Sequence, residues 1–358
     1  MKILINYNLS KLNTFGISAK AKFFVEIQNE TDLKELFNAE EFSARGGSAY
    51  GGKNIPKLFL GGGSNVLFTK DFDGLIVLNK LKGMEILKED SRNVFIRSMG
   101  GEMWHDFVTF VVERGLWGVE NLALIPGTVG AAPMQNIGAY GAELKDVLEN
   151  VEAFNIKTGE KKIFSKEECK LGYRDSIFKN ELKDQYFITA VTFKVSKIEN
   201  KNVTYKILQE YLEKNKIEVK NSKDISDAIS EIRRSKLPDP KIIGNAGSFF
   251  KNVFIKPKEL EKLQKTYPEI PNFDEETSPQ PSPERRGGSI KIPAGWLIEQ
   301  CGWKGKRIGN VGVHEKQALV LVNHGGATGE EVLALADKII ADVKEKFGLE
   351  LVPEVNLI

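Results

Sequence analysis

The apolar residues of the chain follow helical spacing in some segments and form short continuous runs in others. Between Trp104 and Gly115 they recur every three or four residues, which predicts a helix that ends at the glycine. The capping-box pattern Thr328-Gly329-Glu330-Glu331 predicts the start of another helix, with Gly348 after its end. Further helices are predicted from Thr31 and over 224–235 and 257–267, and strands over 21–27, 57–60, 66–68, 75–78, 94–99, 151–156, 187–195 and 318–322.

The predicted strands and helices are mixed but do not alternate strictly. This pattern favours an α+β fold over a doubly wound parallel sheet. Segment 43–54 is rich in glycine and serine, and 272–289 is rich in Pro, Ser, Glu and Arg, so both predict surface loops. The run Leu237-Pro238-Asp239-Pro240 predicts a hinge between domains.

Composition narrows the class of protein. The chain has 358 residues, enough for two or three structural units, and 51 basic against 49 acidic residues leave a net charge of +2. That balance argues against a dedicated nucleic-acid or membrane-surface binder. The apolar runs are too short for a membrane span, and the first residues lack a signal-peptide core. With two cysteines and no CxxC pair, a reducing cytoplasm is expected.

Several kinds of chemistry are disfavoured by what the sequence lacks. The three histidines are scattered and no HExxH pair occurs, so we expect no metal site. No GxSxG motif is present, which argues against a serine hydrolase of that type. The unusual feature is glycine, with 33 residues of which many are clustered.

The first glycine cluster is Leu60-Gly61-Gly62-Gly63-Ser64-Asn65-Val66. Successive glycines let backbone N–H groups converge on an anion and let a pyrophosphate approach closely. The dinucleotide fingerprint GxGxxG is absent, and so is the Gly-Lys-Ser/Thr of a P-loop. The cluster is therefore either a phosphate loop of another type or a tight turn.

Further segments each have a functional and a purely structural interpretation. The nearly uncharged stretch from Ile125 to Gly141 predicts a groove for an extended ligand or a packing layer of small residues. Ser248 follows small residues and precedes two aromatic ones, which also suits an ordinary turn serine. Arg174 and Glu354, taken singly, are typical of solvated surface positions.

Together and in this order, these segments resemble the UDP-N-acetylenolpyruvoylglucosamine reductase family, of the type with a tyrosine loop. The resemblance runs nearly from end to end and is highly specific in its joint motifs. It covers 13–17, 61–68, 120–141, 173–179, 236–240, 244–252, 294–298 and 353–355. It implies an α+β fold with a two-part FAD-binding region of the non-Rossmann (PCMH/vanillyl-alcohol-oxidase-like) type and an α+β substrate domain. The implied divisions are 1–71 and 72–236 for FAD, 237–347 for substrate, and the tail 348–358 returning to the flavin.

The resemblance also implies roles for individual residues. The family's catalytic arginine, serine and glutamate fall on Arg174, Ser248 and Glu354. Its substrate-binding tyrosine, lysine and asparagine fall on Tyr205, Lys236 and Asn252. The implied FAD contacts are Gly61, Gly62, Gly63, Ser64, Asn65, Val66, Ile125, Pro126, Gly127, Gly130, Ala131, Gln135, Asn136, Gly138, Ala139, Tyr140 and Arg233.

The activity implied is NADPH-dependent reduction, through FAD, of the enolpyruvyl group of UDP-N-acetylglucosamine enolpyruvate, in peptidoglycan precursor synthesis. A cytoplasmic monomer is expected, with small-molecule substrates and with neither nucleic acid nor membrane as partner. Segments 43–54 and 273–289 look like insertions relative to the family, and Asn356 stands where many members carry a basic residue.

Two other functions fit the same features. One is an FAD-dependent oxidase of the same flavoprotein superfamily. The other is a nucleotide-sugar binding protein that has lost its cofactor and does not catalyse a reaction. A reductase oxidises NADPH only when the enolpyruvyl sugar nucleotide is present, whereas an oxidase depends on oxygen. A flavin spectrum after reconstitution distinguishes a reductase from the binding protein.

Overall fold

A computed structural model describes residues 1–38, 55–274 and 288–358 of the chain. The predicted loop at 43–54 and residues 275–287 of the second predicted loop lie outside the described residues. The chain divides into two compact units, which are described separately below. The first unit comprises Met1–Tyr7, Lys20–Gly62 and Phe72–Arg233, and the second comprises Asn8–Ala19, Gly63–Asp71 and Arg234–Ile358.

The helices and strands have the following bounds. The α-helices are α1 Glu30–Asn38, α2 Trp104–Val112, α3 Lys206–Lys214, α4 Ser222–Lys236, α5 Pro257–Thr266, α6 Ala294–Gln300 and α7 Gly329–Phe347. The strands are β1 Leu4–Asn8, β2 Lys20–Ile27, β3 Lys57–Leu60, β4 Val66–Leu67, β5 Phe72–Asn79, β6 Met84–Glu89, β7 Asn93–Met99, β8 Gly138–Ala139, β9 Ala142–Glu143, β10 Leu148–Asn155, β11 Lys161–Ser165, β12 Tyr186–Ser196, β13 Gly244–Ser248, β14 Val253–Ile255, β15 Phe273–Asp274, β16 Ile290–Ile292, β17 Arg307–Ile308, β18 Val311–Val313, β19 Val320–Asn323 and β20 Asn356–Leu357. Short 3-10 helices span Glu120–Leu122, Val129–Gln135 and Leu144–Asp146.

The first unit contains two sheets. One has the order β1-β2-β5-β3, with β5 parallel to both β2 and β3. The other has the order β11-β10-β12-β7-β6 and is antiparallel throughout. Strand β12 is central in this second sheet, and most of its side chains are buried on both faces, which explains its nearly continuous apolar sequence.

Helix α2 contributes its apolar face to the core of the first unit. Trp104, Phe107 and Phe193 form an aromatic cluster, with 4.1 Å between the ring centroids of Phe107 and Phe193. The indole Nε1 of Trp104 donates a hydrogen bond to the carbonyl of Leu122 at 2.8 Å. This bond fixes the 3-10 turn Glu120–Leu122, just before the nearly uncharged stretch, to the core. It also gives the buried indole N–H the partner without which its burial would be costly.

The second unit is built on the antiparallel sheet β13-β19-β18-β17, against which α7 packs. A smaller sheet has the order β14-β16-β15, and the C-terminal strand β20 runs parallel to β4. Helix α7 begins as its sequence predicts. The Thr328 hydroxyl accepts the N–H of Glu331, the Glu331 carboxylate accepts the N–H of Thr328, and Gly348 ends the helix at φ +67°.

The structure confirms the α+β class and most of the predicted elements, with some differences in extent. Helices α3 and α6 were not predicted, and the seven residues of α6 are too few to show a helical period. The predicted loop over 272–289 is wrong at its first edge, since Phe273–Asp274 pair with Lys291 and Ile290 as a strand. The four-part division into domains stays a prediction.

A substitution at Gly329, the first residue of α7, tests how closely this helix approaches the backbone of Phe68. A Cβ atom there would overlap the carbonyl of Phe68, which is backbone and cannot rotate away. Gly329→Ala should lower the free energy of unfolding by about 1–3 kcal/mol, measured by urea denaturation.

Gly295→Ala is the matched control, because Gly295 also lies in the first turn of a helix. Its added Cβ would meet the Leu319 side chain at an ordinary 3.4 Å. That variant should keep or raise the stability, by up to about 1 kcal/mol from helix propensity. Equal stability of the two variants would contradict the close approach at Gly329.

Candidate active site

Two glycine-rich segments meet in the first unit. Gly61 and Gly62 follow β3 directly, and they lie against Gly127 and Thr128. A Cβ atom on Gly61 would overlap the Thr128 hydroxyl, and one on Gly62 would lie 3.0 Å from the Gly127 Cα. Glycine at both positions allows this approach without a shift of the neighbours, and it brings bare backbone from both segments to one place.

Thr128 has a polar atom that the described residues leave without a partner. Its side chain is buried, and no described group makes a hydrogen bond to its Oγ1. A buried hydroxyl in that state costs about 1–3 kcal/mol. The atom lies at the junction of the two glycine segments, so a phosphate or hydroxyl of a bound dinucleotide there would satisfy it. The first unit's glycine cradle, formed by Gly61, Gly62, Gly127 and Thr128, thus fits a group such as FAD.

The segment that follows forms a tight hairpin. Strands β8 and β9 pair through Gly138–Glu143 and Ala139–Ala142, and both turn residues, Tyr140 and Gly141, have left-handed backbone angles. Two successive left-handed residues are the requirement of a type I′ turn. The Asn136 side chain supports the hairpin, since its Nδ2 donates to the Glu143 carboxylate and to the Gly172 carbonyl, both at 3.0 Å.

Arg174 lies beside this hairpin. Its Nη2 donates to the Gly138 carbonyl at 3.0 Å, and its own backbone has a left-handed φ of +52°. Such a backbone angle is uncommon for residues other than glycine, and strained angles of this kind cluster at active sites. The structure therefore brings one sequence-predicted catalytic residue next to a predicted FAD-binding segment.

Tyr140, Tyr205 and Arg233 come together near the same hairpin. The rings of Tyr140 and Tyr205 meet edge to face, with centroids 5.4 Å apart. Arg233 is hydrogen-bonded to the Tyr140 side chain, and its Nε donates to the Leu124 carbonyl at 3.3 Å. Burial raises the pKa of Tyr140 and lowers the pKa of Arg233. An arginine still stays charged in a protein, so this group is a fixed cation.

Ser248 ends strand β13 in the second unit. Gly247 precedes it with φ +69°, and an irregularity in the pairing with β19 falls between Asn245 and Ser248. Irregular pairing of this kind re-aims a side chain away from the regular sheet. Ser248 itself is half-buried and pairs with Val320.

The C-terminal tail passes beside Ser248. The Glu354 N–H donates to the Phe249 carbonyl at 2.7 Å, and the Lys251 N–H donates to the Val352 carbonyl at 2.9 Å. Because Phe249 directly follows Ser248, this bond holds the backbone of Glu354 close to the backbone of the serine. The structure thus brings Ser248 and Glu354 together in the second unit.

The tail also contacts the part of the first glycine cluster that belongs to the second unit, 63–66. The Asn65 side chain donates to the Glu354 carbonyl at 3.3 Å. The Asn356 N–H and Nδ2 both donate to the Asn65 carbonyl, at 3.1 and 2.9 Å. Asn356 therefore fixes this loop to the tail, a role that its amide performs without a positive charge. Gly63 has φ +62°, and a Cβ there would overlap the Leu12 carbonyl.

Two predicted substrate-binding residues, Lys236 and Asn252, lie in different segments of the chain. Lys236 is the last residue of α4. The Asn252 Oδ1 accepts the N–H of Ala294, the first residue of α6, at 3.1 Å, which fixes the orientation of that amide. Sequence reasoning missed Thr128 and two asparagines, Asn121 and Asn202, that bond to the hairpin. The position of Thr128 between Gly127 and Gly130 was a usable signal, whereas the asparagines had none.

A family model described as the FAD binding domain matches residues 48–164 of the chain. Together with the glycine cradle and the α+β fold, this match defines the protein as an FAD-binding flavoprotein. A second model, the C-terminal domain of UDP-N-acetylenolpyruvoylglucosamine reductase, matches residues 239–358.

Relatives with that name match the whole chain. The reductase of Flavobacterium johnsoniae is 46% identical over 359 residues, covering 100% of both chains. That of Burkholderia orbicola is 44% identical over 356 residues, covering 99% of this chain and 96% of its own. The chain therefore belongs to the UDP-N-acetylenolpyruvoylglucosamine reductase family.

A solved structure agrees with the fold. The UDP-N-acetylenolpyruvylglucosamine reductase of Thermus caldophilus superposes with a TM-score of 0.61 at 22% identity, over 99% of this chain and 98% of that one. No helix within 1–38, 55–274 and 288–358 combines the length and the apolar character that crossing a membrane requires.

Thr128→Val tests the fit of FAD to the cradle. If the hydroxyl bonds to FAD, its loss should weaken FAD binding by about threefold to tenfold, the value of one hydrogen bond. The same change should keep or raise the stability of the FAD-free protein, because it removes a buried polar atom that lacks a partner. FAD titration of the apoprotein and thermal unfolding measure the two effects.

Thr189→Val is the matched control. Thr189 is also buried in the first unit, but its hydroxyl already donates to the Glu152 carbonyl at 3.2 Å. That variant should lose stability and keep its FAD affinity. An unchanged FAD affinity in Thr128→Val would show that the hydroxyl does not contact the cofactor.

Proposed function

We propose that the chain catalyses the NADPH-dependent reduction of the enolpyruvyl group of UDP-N-acetylglucosamine enolpyruvate to UDP-N-acetylmuramate, with FAD as cofactor, in peptidoglycan precursor synthesis. The observation that carries the proposal is the junction of Ser248 with the tail, where Glu354 bonds to the backbone of Phe249. This junction occurs in a chain that matches reductases of this name over its full length.

FAD would be held by glycine-rich segments of the chain. The residues proposed to contact it are Gly61, Gly62, Gly63, Ser64, Asn65, Val66, Ile125, Pro126, Gly127, Gly130, Ala131, Gln135, Asn136, Gly138, Ala139, Tyr140 and Arg233. Backbone N–H dipoles and the Arg233 cation neutralise the phosphates without ordering flexible side chains. When bound, FAD would supply hydride transfer from NADPH to the alkene carbon of the substrate.

Arg174 would bind the carboxylate of the enolpyruvyl group. Hydride addition leaves negative charge on the carbon next to that carboxylate, so a fixed cation stabilises the transition state more than the ground state. The bond from Nη2 to the Gly138 carbonyl orients the planar guanidinium beforehand. A guanidinium suits this role because it can bind a carboxylate through two parallel N–H groups.

Ser248 would deliver the proton that completes the reduction. A serine hydroxyl is a weak acid, so it needs a neighbour that stabilises the developing charge. Glu354 is held beside it by the tail, and in a neutral form it would donate a hydrogen bond to the same charge. Backbone bonds and strand pairing fix the main chain at both residues.

The sugar nucleotide would contact Tyr205, Lys236 and Asn252. The ammonium of Lys236 suits a diphosphate, and the Asn252 amide is oriented by its bond to Ala294. The tyrosine at 205 is 44% exposed, so a ligand can reach it. We also propose a cytoplasmic monomer that takes small-molecule substrates only, with the ligand-binding divisions 1–71, 72–236, 237–347 and 348–358.

Anaerobic spectroscopy of the FAD-loaded protein tests the function. NADPH alone should bleach the flavin absorbance, and added UDP-N-acetylglucosamine enolpyruvate should restore it with formation of UDP-N-acetylmuramate. Reoxidation by oxygen alone, with no effect of the sugar nucleotide, would favour an oxidase. Absence of any flavin spectrum after reconstitution would favour a binding protein without catalysis.

Ser248→Ala should separate the two half-reactions. Flavin reduction by NADPH should proceed at the parental rate, because the serine acts only on the second substrate. Reoxidation by the enolpyruvyl substrate should slow by at least about a hundredfold, the usual contribution of a positioned proton donor. Rapid-mixing absorbance measurements give both rates.

Ser10→Ala is the control, since Ser10 is also half-buried in the second unit and lies outside every proposed contact. It should keep both rates. Full turnover by Ser248→Ala would remove the serine from the proposed role.

A further inference from the structure

Two asparagines fasten the tyrosine loop, 202–205, to the hairpin of the first unit. The Asn121 Nδ2 donates both to the Tyr140 carbonyl at 2.8 Å and to the Asn202 carbonyl at 2.9 Å. The Asn202 Nδ2 donates to the Gly141 carbonyl at 3.0 Å. We call Asn121 and Asn202 the asparagine latch. All its partners belong to the first unit.

The carboxamide group is what the latch requires. Asn121 is 2% exposed, and its one NH2 group bridges carbonyls from two different segments. A carboxylate at position 121 would place its oxygens against the carbonyl oxygens of Tyr140 and Asn202, and all of these are acceptors. An apolar residue would leave both carbonyls without the Asn121 donor. Asn202 uses both ends of its amide, because its Oδ1 accepts the Thr204 hydroxyl at 2.9 Å.

The latch determines where Tyr205 can lie. Tyr205 directly precedes α3 and is 44% exposed, so burial does little to hold its side chain. Its described ring contact is with Tyr140, which is also the residue whose carbonyl Asn121 binds. The latch therefore connects the backbone of the hairpin and the backbone of the tyrosine loop at the point where the two rings meet.

We propose that Asn121 and Asn202 are positioning residues for the sugar nucleotide. They hold the tyrosine loop in register with the Tyr140 hairpin and so set the position of Tyr205 for the substrate. This inference rests on the proposed function, because it assigns the latch to the same substrate. Pre-positioning lowers the ordering cost of binding and so affects affinity rather than the chemical step.

Asn202→Ala tests the proposal in the FAD-loaded enzyme. The KM for UDP-N-acetylglucosamine enolpyruvate should rise by about threefold to tenfold, with kcat within twofold of the parent. The Kd of that compound for the oxidised enzyme, from calorimetry, should rise by the same factor. The flavin spectrum and the rate of flavin reduction by NADPH should be unchanged.

Asn215→Ala is the matched control. Its Nδ2 also donates to a backbone carbonyl of the first unit, that of Tyr211 at 2.8 Å, but at the far end of α3. It should change neither KM nor Kd. If Asn202→Ala fails to fold, Thr204→Val carries the test, since it removes only the hydroxyl bound to Asn202 and should raise KM in the same direction by a smaller factor.

A double variant distinguishes positioning from a general loss of structure. In a Tyr205→Ala background, Asn202→Ala should add no further rise in KM, because the side chain it positions is gone. Two results would overturn the proposal. One is an equally large additional rise in KM when Asn202→Ala is added to Tyr205→Ala, and the other is a KM within twofold of the parent in Asn202→Ala alone. A parent enzyme that fails to reduce the enolpyruvyl compound would instead contradict the proposed function.

Discussion

The organisation of this protein depends on backbone segments that pack directly against other backbone segments. In the first unit, Gly62 lies against Gly127 so closely that an added Cβ would be 3.0 Å from the neighbouring Cα. In the second unit, added Cβ atoms on Gly63 and Gly244 would overlap the carbonyls of Leu12 and Phe15. An added Cβ would be tight at Gly62 and would overlap backbone at Gly63 and Gly244. Such approaches favour glycine, and they recur where the candidate ligand contacts lie.

Close backbone packing buries peptide N–H and C=O groups, and fixed polar side chains bond to them. Peptide groups brought together without side chains must find donors and acceptors locally, because buried unpaired groups are expensive. Asparagine side chains supply many of them, as in the bonds from Asn323 to the Phe15 carbonyl and from Asn136 to the Gly172 carbonyl. Thr128 is the exception at the glycine cradle, and that exception is what points to a ligand.

The sequence predicted the elements whose signal is local. Helices α2 and α7 and strand β12 follow from apolar spacing, a capping box or an unbroken apolar run, all of which are readable from neighbouring residues. Strand β15 was missed because Phe273–Asp274 pair with a strand that follows a long polar segment, and pairing across such a distance leaves no local pattern. Helix α6 was missed because its seven residues are too few to show periodicity.

The candidate site divides in the same way. The glycine clusters stand out in the sequence because small residues at such density are unusual, and the family resemblance assigned roles to Ser248, Arg174 and Glu354. The connection of Glu354 to Phe249 needs the tail to pass beside β13, which no local pattern encodes. Asn121 lies between a buried glutamate and a leucine in a segment with little charge, so its two bonds to distant carbonyls were invisible before the fold was known.

This architecture also explains how a nearly neutral chain can take highly anionic ligands. FAD and a UDP-sugar carry several phosphates between them, whereas the net charge of the protein is only +2. Backbone dipoles in glycine-rich loops provide positive potential without net charge, and their positions are fixed on folding. Under the proposed function, a few placed cations, namely Arg174, Arg233 and Lys236, would then orient the ligands. A broadly basic surface would add affinity for any polyanion and so reduce specificity, since such binding does not distinguish one phosphate ligand from another.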